Sequence, residues 1–309
     1  MARLFAPVQG RLRRDGGRLL TAYGHDLSLP WWQGAELGFL EDRDAARLAV
    51  AEVRSRGLPF GVHHPLVAEP GALWAPFWLA PKALERARAL KEAVRALQEG
   101  AALGAAYVLF HFPWPALVSQ SLDLPALGWR LPPEAQSETL WPRDALAELS
   151  DEVFGVLERA GGAAGTEVLL ELDGPAGAFY GSGGELWDAL CRRHPGIGLC
   201  ADTGRLDLLG RTHGFRPLAF LRSIGLHVHH LHLMGARWER GENHLPPLPE
   251  QEGRAGYAPA AAMARLVLGM RPDLPVVLEV DPRTLPPADL VRSLRYCAAL
   301  GGGPEPGTV

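Results

Sequence analysis

Five apolar runs of this chain end on a residue that can bind a divalent cation: Tyr107–His111 (YVLFH), Val168–Glu171 (VLLE), Ile197–Asp202 (IGLCAD), His227–His232 (HVHHLH) and Val276–Glu279 (VVLE). Phe60–His63 (FGVH) follows the pattern more loosely. One such ending carries little information, because buried strands often finish on a polar residue where the chain returns to water. Six in series say more. Each run is followed by a loop and a helix-like segment, so parallel strands would gather these ends at one rim, the face on which α/β barrels do their chemistry. Side chains alternate across a strand, and this parity tests which ends share a face. Glu171 shares its face with Leu169, Asp202 with Cys200 and Glu279 with Val277, so each can point into a barrel. In the His-rich run His230 and His232 lie on one face, while His227 and His229 lie on the other and turn toward the helices. His232 is nearer the strand's C-terminal end and completes an expected ligand set of Glu171, Asp202, His232 and Glu279. Carboxylates and imidazoles together suit Mn²⁺, Mg²⁺, Co²⁺, Zn²⁺ or Fe²⁺, and the sequence does not select among these metals.

The elements that must position these residues alternate almost to the end of the chain. A first strand falls somewhere in residues 3–22, and Ala35–Phe39 (AELGF) reads as the second. Helical spacing is predicted over 42–56, over 81–103 with proline at a first-turn position, and from Pro133 or Pro142 to Arg159. Further helices are expected near 184–193, 215–224, 258–269 and 287–299. Eight β/α units are the natural count, giving an α/β fold: a single-domain (β/α)8 TIM barrel over residues 1–300 with a flexible tail at 301–309. A doubly wound open sheet is the alternative, but no glycine-rich dinucleotide fingerprint follows an early strand. No 20–50-residue period repeats, which argues against a solenoid.

With 309 residues, 47% of them hydrophobic, the chain can bury a large core. Its formal charge of -4 gives no global basic field for holding phosphates, and Lys82 and Lys91 are its only lysines. Cys191, Cys200 and Cys297 are odd in number and far apart, suggesting neither a disulfide framework nor a thiolate zinc site. The opening stretch MARLFAPVQGRLRR lacks the apolar core of a signal peptide, and no apolar run is long enough to cross a bilayer. A cytoplasmic protein without membrane association is expected.

Trp74, Trp78, Trp114, Trp129 and Trp141 fall in or beside the loops that follow the His63 and His111 strands. Aromatic faces stack on sugars and on exposed bases alike, so Trp114 and its neighbours imply an organic ligand, unless they pack the loops onto the barrel. Trp31 and Trp32 either join that wall or plug the barrel. Asp173 and Asp281, each two residues past a ligand candidate, either line the pocket or cap a loop.

These pieces resemble the xylose-isomerase-like barrels, which include sugar isomerases and epimerases and the apurinic endonucleases. The resemblance rests on HHP at 63–65, HFP at 111–113, LLELDGP at 169–175, CADTGR at 200–205, HLHL at 230–233, ENH at 242–244 and VLEVDP at 277–282, in the family's order. It implies that Glu171, Asp202, His232 and Glu279 form the shared metal-binding quartet. It also implies additional metal ligands at His63 and His111, preferred over His64 by the repeated H-x-P, and at Glu242 and His244. One departure stands out: the family's DTGH reads Asp202-Thr203-Gly204-Arg205 here, and a guanidinium cannot be an ordinary metal ligand. Arg205 is therefore expected either to bind an anionic group of the substrate or to pair with Asp207 or Glu242. The family often carries Asp shortly after the His232 position, where this chain has Met234 and Gly235, so support for that histidine must come from elsewhere.

The resemblance leads to a metal-dependent sugar isomerase or epimerase acting on a hydroxycarbonyl compound. Glu171 and Glu279 would exchange the proton next to the carbonyl, while Arg205, His63, His111 and Trp114 bind substrate. The alternative is a two-ion phosphodiesterase on damaged DNA, which the extra histidines favour and the scarcity of lysine disfavours. A non-catalytic binding barrel is the third class. The expected partner is a small sugar-like molecule rather than nucleic acid or a membrane, and self-association is left open.

Overall fold

The computed structural model describes residues 2–15, 18–20, 26–68, 75–117, 123–129, 131, 136–137, 141–181, 183–281 and 286–301. Eight parallel strands close a barrel: β1 (Arg3–Gly10), β2 (Gly34–Leu40), β3 (Phe60–Val67), β4 (Tyr107–Phe112), β5 (Glu167–Leu172), β6 (Ile197–Asp202), β7 (Val228–Leu233) and β8 (Pro275–Leu278). Each strand pairs with its neighbours in chain order, and β1 closes the ring against β8. The (β/α)8 barrel is thus the fold, and the first strand lies early in the expected 3–22 window.

The crossovers after β2 carry α1 (Arg43–Ser55), α2 (Ala83–Ala102), α3 (Arg143–Ala164), α4 (Glu185–Arg193), α5 (Thr203–His213), α6 (Pro217–Ile224) and α7 (Ala260–Met270), and α8 (Pro287–Ala299) follows β8. The α3 helix takes the later of its two expected starts, with Pro142 at the N-cap. Helix α5 was not expected. It starts directly on the ligand candidate Asp202, whose side chain accepts a hydrogen bond from the Arg205 backbone N–H as an N-cap. The tail at 302–309 and Trp74 lie outside the described residues.

Side-chain alternation sorts the barrel interior into layers. Phe5, Tyr107, Leu109, Leu169, Cys200 and Val277 form a cluster of their own inside the ring, separate from the larger core between sheet and helices. Two glycines make room for it. A Cβ on Gly34 would collide with the Phe5 ring, and one on Gly61 with the Tyr107 ring. One alternation further along the same strands, the inward residues become His111, Glu171, Asp202 and Glu279. Register sets neighbours across strands, with His111 beside Glu171 and Asp202 beside His232. His64 points the opposite way from His63, toward Glu92 of α2 at 3.5 Å.

Candidate active site

The polar layer forms the floor of an open cavity of about 1010 Å³, whose lining includes His63, His111, Glu171, Asp202 and Glu279 with Asp173, Arg205 and His244. Within it His232 is completely buried. Its Nδ1 lies 3.5 Å from Glu171 Oε2 and 3.6 Å from Glu279 Oε1. Glu171, Asp202 and His232 each offer a ligand atom, all within 4.8 Å of one another. His232 is thus shared by the expected ligands: Glu171 and Glu279 face its Nδ1, and Asp202 joins Glu171 and His232 in one candidate group.

A second group adjoins the first. His63 Nε2 and His111 Nε2 are 3.0 Å apart, and Glu171 Oε2 is 3.5 Å from the former. His63, His111 and Glu171 also satisfy the geometry for holding one ion. Glu171 is common to both groups, and a third set, Glu36, His63, His232 and Glu279, also has its ligand atoms within 4.8 Å of one another. The backbone bulges between Gly38 and Leu40, and Phe39, at a left-handed φ of 50°, sets its ring edge-on against His63 with centroids 5.1 Å apart. That conformation is costly for a bulky residue, and here it covers the histidine pair with an apolar ring.

The electrostatics of this floor favour a cation. Burial, and then the charges of Glu279 and Glu171, push the Asp202 carboxyl well above the usual carboxylate range. Burial opposes ionisation of Glu171 as well, yet His111, His232 and His63 hold its carboxyl far below that range. Burial would lower the pKa of His232, but Cys200, Glu36, Glu279 and Glu171 raise it well above the imidazole norm. Two facing atoms, His232 Nδ1 and Glu171 Oε2, are buried without a hydrogen-bond partner. Crowded carboxylates and unpartnered nitrogens are what a divalent ion would relieve, so the donor set fits the expected metal.

Other expectations met different outcomes. Arg205 pairs with neither Asp207 nor Glu242: its Nε lies 3.0 Å from Asp173 Oδ1, and its guanidinium stands 5.9 Å from the centre of the Trp129 ring. Asp207 holds Arg211 instead, one turn along α5. Asp173 also reaches His111 Nδ1 at 2.9 Å, so it links the rim cation to the floor histidine. Glu242 is not brought to the site. It sits in an antiparallel hairpin, Gly235–Arg237 with Glu242–Leu245, and lies 3.8 Å from Arg237. Its neighbour-but-one His244 does line the cavity, with Nδ1 3.1 Å from the Glu279 carbonyl and a left-handed φ of 51° that breaks the hairpin's alternation between the two. Trp114 and Trp129 line the cavity, but Trp78 and Trp141 do not: their indole N–H groups donate to the His111 and Leu79 carbonyls and hold loops to the barrel. His229 faces outward to Glu167, as parity requires, while His227 lies in a 3-10 turn just before β7 and pairs with Asp188.

Three residues escaped sequence reasoning. Trp238 lines the cavity from the hairpin turn. Glu36 of β2 is wholly buried, with Oε1 3.1 Å from His232 Nε2, and the Tyr107 hydroxyl donates to its Oε2 at 2.9 Å. A signal existed for Glu36, since a lone carboxylate inside an apolar strand must find partners. It lies mid-run, so attention to strand ends passes over it. It also supplies the carboxylate support for His232 that the Met234–Gly235 segment lacks.

A family model described as xylose isomerase-like TIM barrel matches residues 28–300. The chain belongs to this family. Among solved structures, it is similar to a Thermus thermophilus protein soaked with ZnCl₂, at 23% identity and TM-score 0.53 over 87% of this chain and 88% of that one. It also resembles the 3-keto-D-glucoside 4-epimerase of E. coli in its apo form, at 15% identity and TM-score 0.59, covering 97% and 100% of the two chains. An AP endonuclease, family 2, from Brucella melitensis aligns at 13% identity and TM-score 0.51 over 92% and 94%. None of the curated proteins matches the chain. These likenesses carry the fold. Among the described residues, no helix is long and apolar enough to cross a membrane.

Proposed function

We propose that this family member is a metal-dependent sugar isomerase or epimerase, acting on a hydroxycarbonyl substrate. The observation that carries this reading is the pair Glu171 and Glu279. They stand on β5 and just past β8, with β6 and β7 between them, and face His232 Nδ1 at 3.5 and 3.6 Å. Two carboxylates that approach one metal-binding point from different strands can both reach a small substrate held there. A divalent ion held by Glu171, Asp202, His232 and Glu279 would stabilise negative charge developing on the substrate's oxygens. Its identity is left among Mn, Mg, Co, Zn and Fe. One glutamate then takes the proton from the carbon beside the carbonyl, and the other delivers a proton to the product carbon. Trp114 and Trp129 supply apolar walls for a sugar-sized ligand, and the free end of the Arg205 guanidinium orients a distal anionic group. The similar E. coli protein is an epimerase on a keto-glucoside, which supports a substrate of this class. A small-molecule substrate and a cytoplasmic setting complete the reading.

The second reading is a two-ion phosphodiesterase on damaged DNA. The His63, His111 and Glu171 group favours it, because a second ion there would share Glu171 with the first.

Solvent exchange decides between them. The wild type should incorporate deuterium from water into a keto- or aldo-sugar. Glu171→Gln and Glu279→Gln, compared at equal bound metal, should each slow that exchange by about two to four decades. Unchanged exchange in both variants would sink the two-carboxylate scheme, and chelator-sensitive cleavage of abasic duplex would promote the second reading.

A further inference from the structure

Glu36 adjoins the candidate metal centre, with no exposed surface, in the middle of β2. A carboxylate there is tolerable only if cationic or donor groups surround it, and three imidazoles and a phenol do so. His232 Nε2 is 3.1 Å from Oε1 and 3.2 Å from Oε2. His63 Nδ1 is 3.2 Å from Oε1, and His230 Nε2 is 3.3 Å from Oε2. The Tyr107 hydroxyl bonds both Oε2 and His230 Nε2, at 2.9 and 3.1 Å. The absence of a side chain at Gly61 gives the Tyr107 ring the space from which its hydroxyl reaches Glu36.

The direction of these contacts is the same for both rings near the centre. His232 gives Nε2 to Glu36 and turns Nδ1 toward Glu171 and Glu279. His63 sets Nδ1 3.2 Å from Glu36 Oε1 without making a hydrogen bond there, and turns Nε2 toward His111 and Glu171. The two nitrogens of an imidazole point away from each other, so a proton drawn to one by a carboxylate leaves the lone pair of the other facing the opposite side. Glu36 therefore meets His232 at the edge opposite Glu171, although one of its oxygens also lies within 4.8 Å of ligand atoms of His63, His232 and Glu279.

We propose that Glu36 is a positioning residue which, through its hydrogen bond to Nε2, fixes the tautomer and orientation of His232, so that the ring presents Nδ1 to a metal ion. Tyr107 and His230 hold Glu36 in turn. The inference rests on the metal-dependent reading above and adds the group that sets the geometry of its histidine ligand.

Zinc affinity, measured by competition with a chromophoric chelator, and the absorption spectrum of the cobalt-loaded protein test this. In Glu36→Gln the zinc dissociation constant should rise about 10–100-fold, with the number of bound ions and the cobalt spectrum unchanged. In Tyr107→Phe, which leaves the carboxylate but removes its donor, the rise should be smaller and of the same sign. Unchanged affinity in Glu36→Gln would overturn the proposal, even if the metal-free variant melted earlier, because that pattern marks a purely structural group. Loss of one bound ion with a shifted cobalt spectrum would also overturn it, by making Glu36 a ligand. Should Glu36→Gln fail to fold, Tyr107→Phe decides: weakened zinc binding supports the proposal and unaltered binding refutes it. A wild type that bound neither zinc nor cobalt would remove the metal-dependent reading itself, an outcome distinct from wild-type binding that Glu36→Gln leaves intact.

Discussion

Two successive layers of side chains inside the barrel obey the same alternation and have opposite character. The lower one, Phe5, Tyr107, Leu109, Leu169, Cys200 and Val277, is closed by apolar contact, with the buried His230 ring packed against Phe5 and Tyr107. The upper one starts two residues further along several of the same strands, about 6.6 Å higher, and brings His111, Glu171, Asp202 and Glu279 together with His63 and His232. Below, water is excluded and the burial of hydrocarbon stabilises the fold. Above, carboxylates repel one another and His232 Nδ1 and Glu171 Oε2 stay unpartnered. One ring of strands thus serves stability at one depth and binding at the next, with Tyr107 joining the two through its hydroxyl to Glu36.

Exchanging one residue in each layer puts that division to its hardest test. Leu169→Ala should cost about 2–5 kcal/mol of folding stability through lost burial and a residual cavity, while the protein keeps its divalent ion. Asp202→Asn should do the reverse. Its amide oxygen can still cap α5, and removing a crowded carboxylate spares the metal-free fold, yet the ion should be lost. Denaturant melts paired with elemental analysis would show it. If Asp202→Asn retained full metal, or Leu169→Ala shed it, the two layers would not be functionally separate.

A smaller effect is expected at the cavity wall. Arg205→Lys keeps a cation near Asp173 but loses the planar fork. KM for a substrate with a carboxylate or phosphate tail should rise by about one to two decades, equivalent to about 1.5–3 kcal/mol, while a neutral sugar is turned over as before. Equal damage to both substrates would assign Arg205 to holding Asp173 rather than to recognition.

The smallest effect is a slope. In chelated protein, burial works against the charge of both His232 and His111, but Cys200 and neighbouring carboxylates raise the pKa of His232, and Glu171 and Asp173 raise that of His111. A raised imidazole stabilises the fold fully below the unfolded value of about 6.5 and loses that contribution as pH rises through the folded value. The raised Asp202 carboxyl acts with the same sign. Metal binding needs the imidazoles deprotonated, so loaded protein should gain from the same change. Melting temperatures above about pH 6.5 should therefore fall with pH in chelator and rise with pH in excess metal; parallel slopes would break the link between the polar layer and the ion.

How much of this was legible beforehand follows from what is local. Parity along single strands placed Glu171, Asp202, His232 and Glu279 on inward faces, sent His229 outward, and made eight alternating units a barrel, because strand alternation and helical spacing depend only on near neighbours in the chain. Motif order added His63 and His111. Contacts between distant segments could not be read that way. Glu36 meets His232 across 196 positions, and only closure of the ring brings β2 opposite β7. Arg205 reaches Asp173 because the unforeseen α5 begins at Asp202, and Glu242 leaves the site because its hairpin turns it toward Arg237. Strand periodicity told the chain's residues which way to face; the closed barrel decided which of them meet, because a buried charge takes its partners from whatever the tertiary fold sets within a few ångströms.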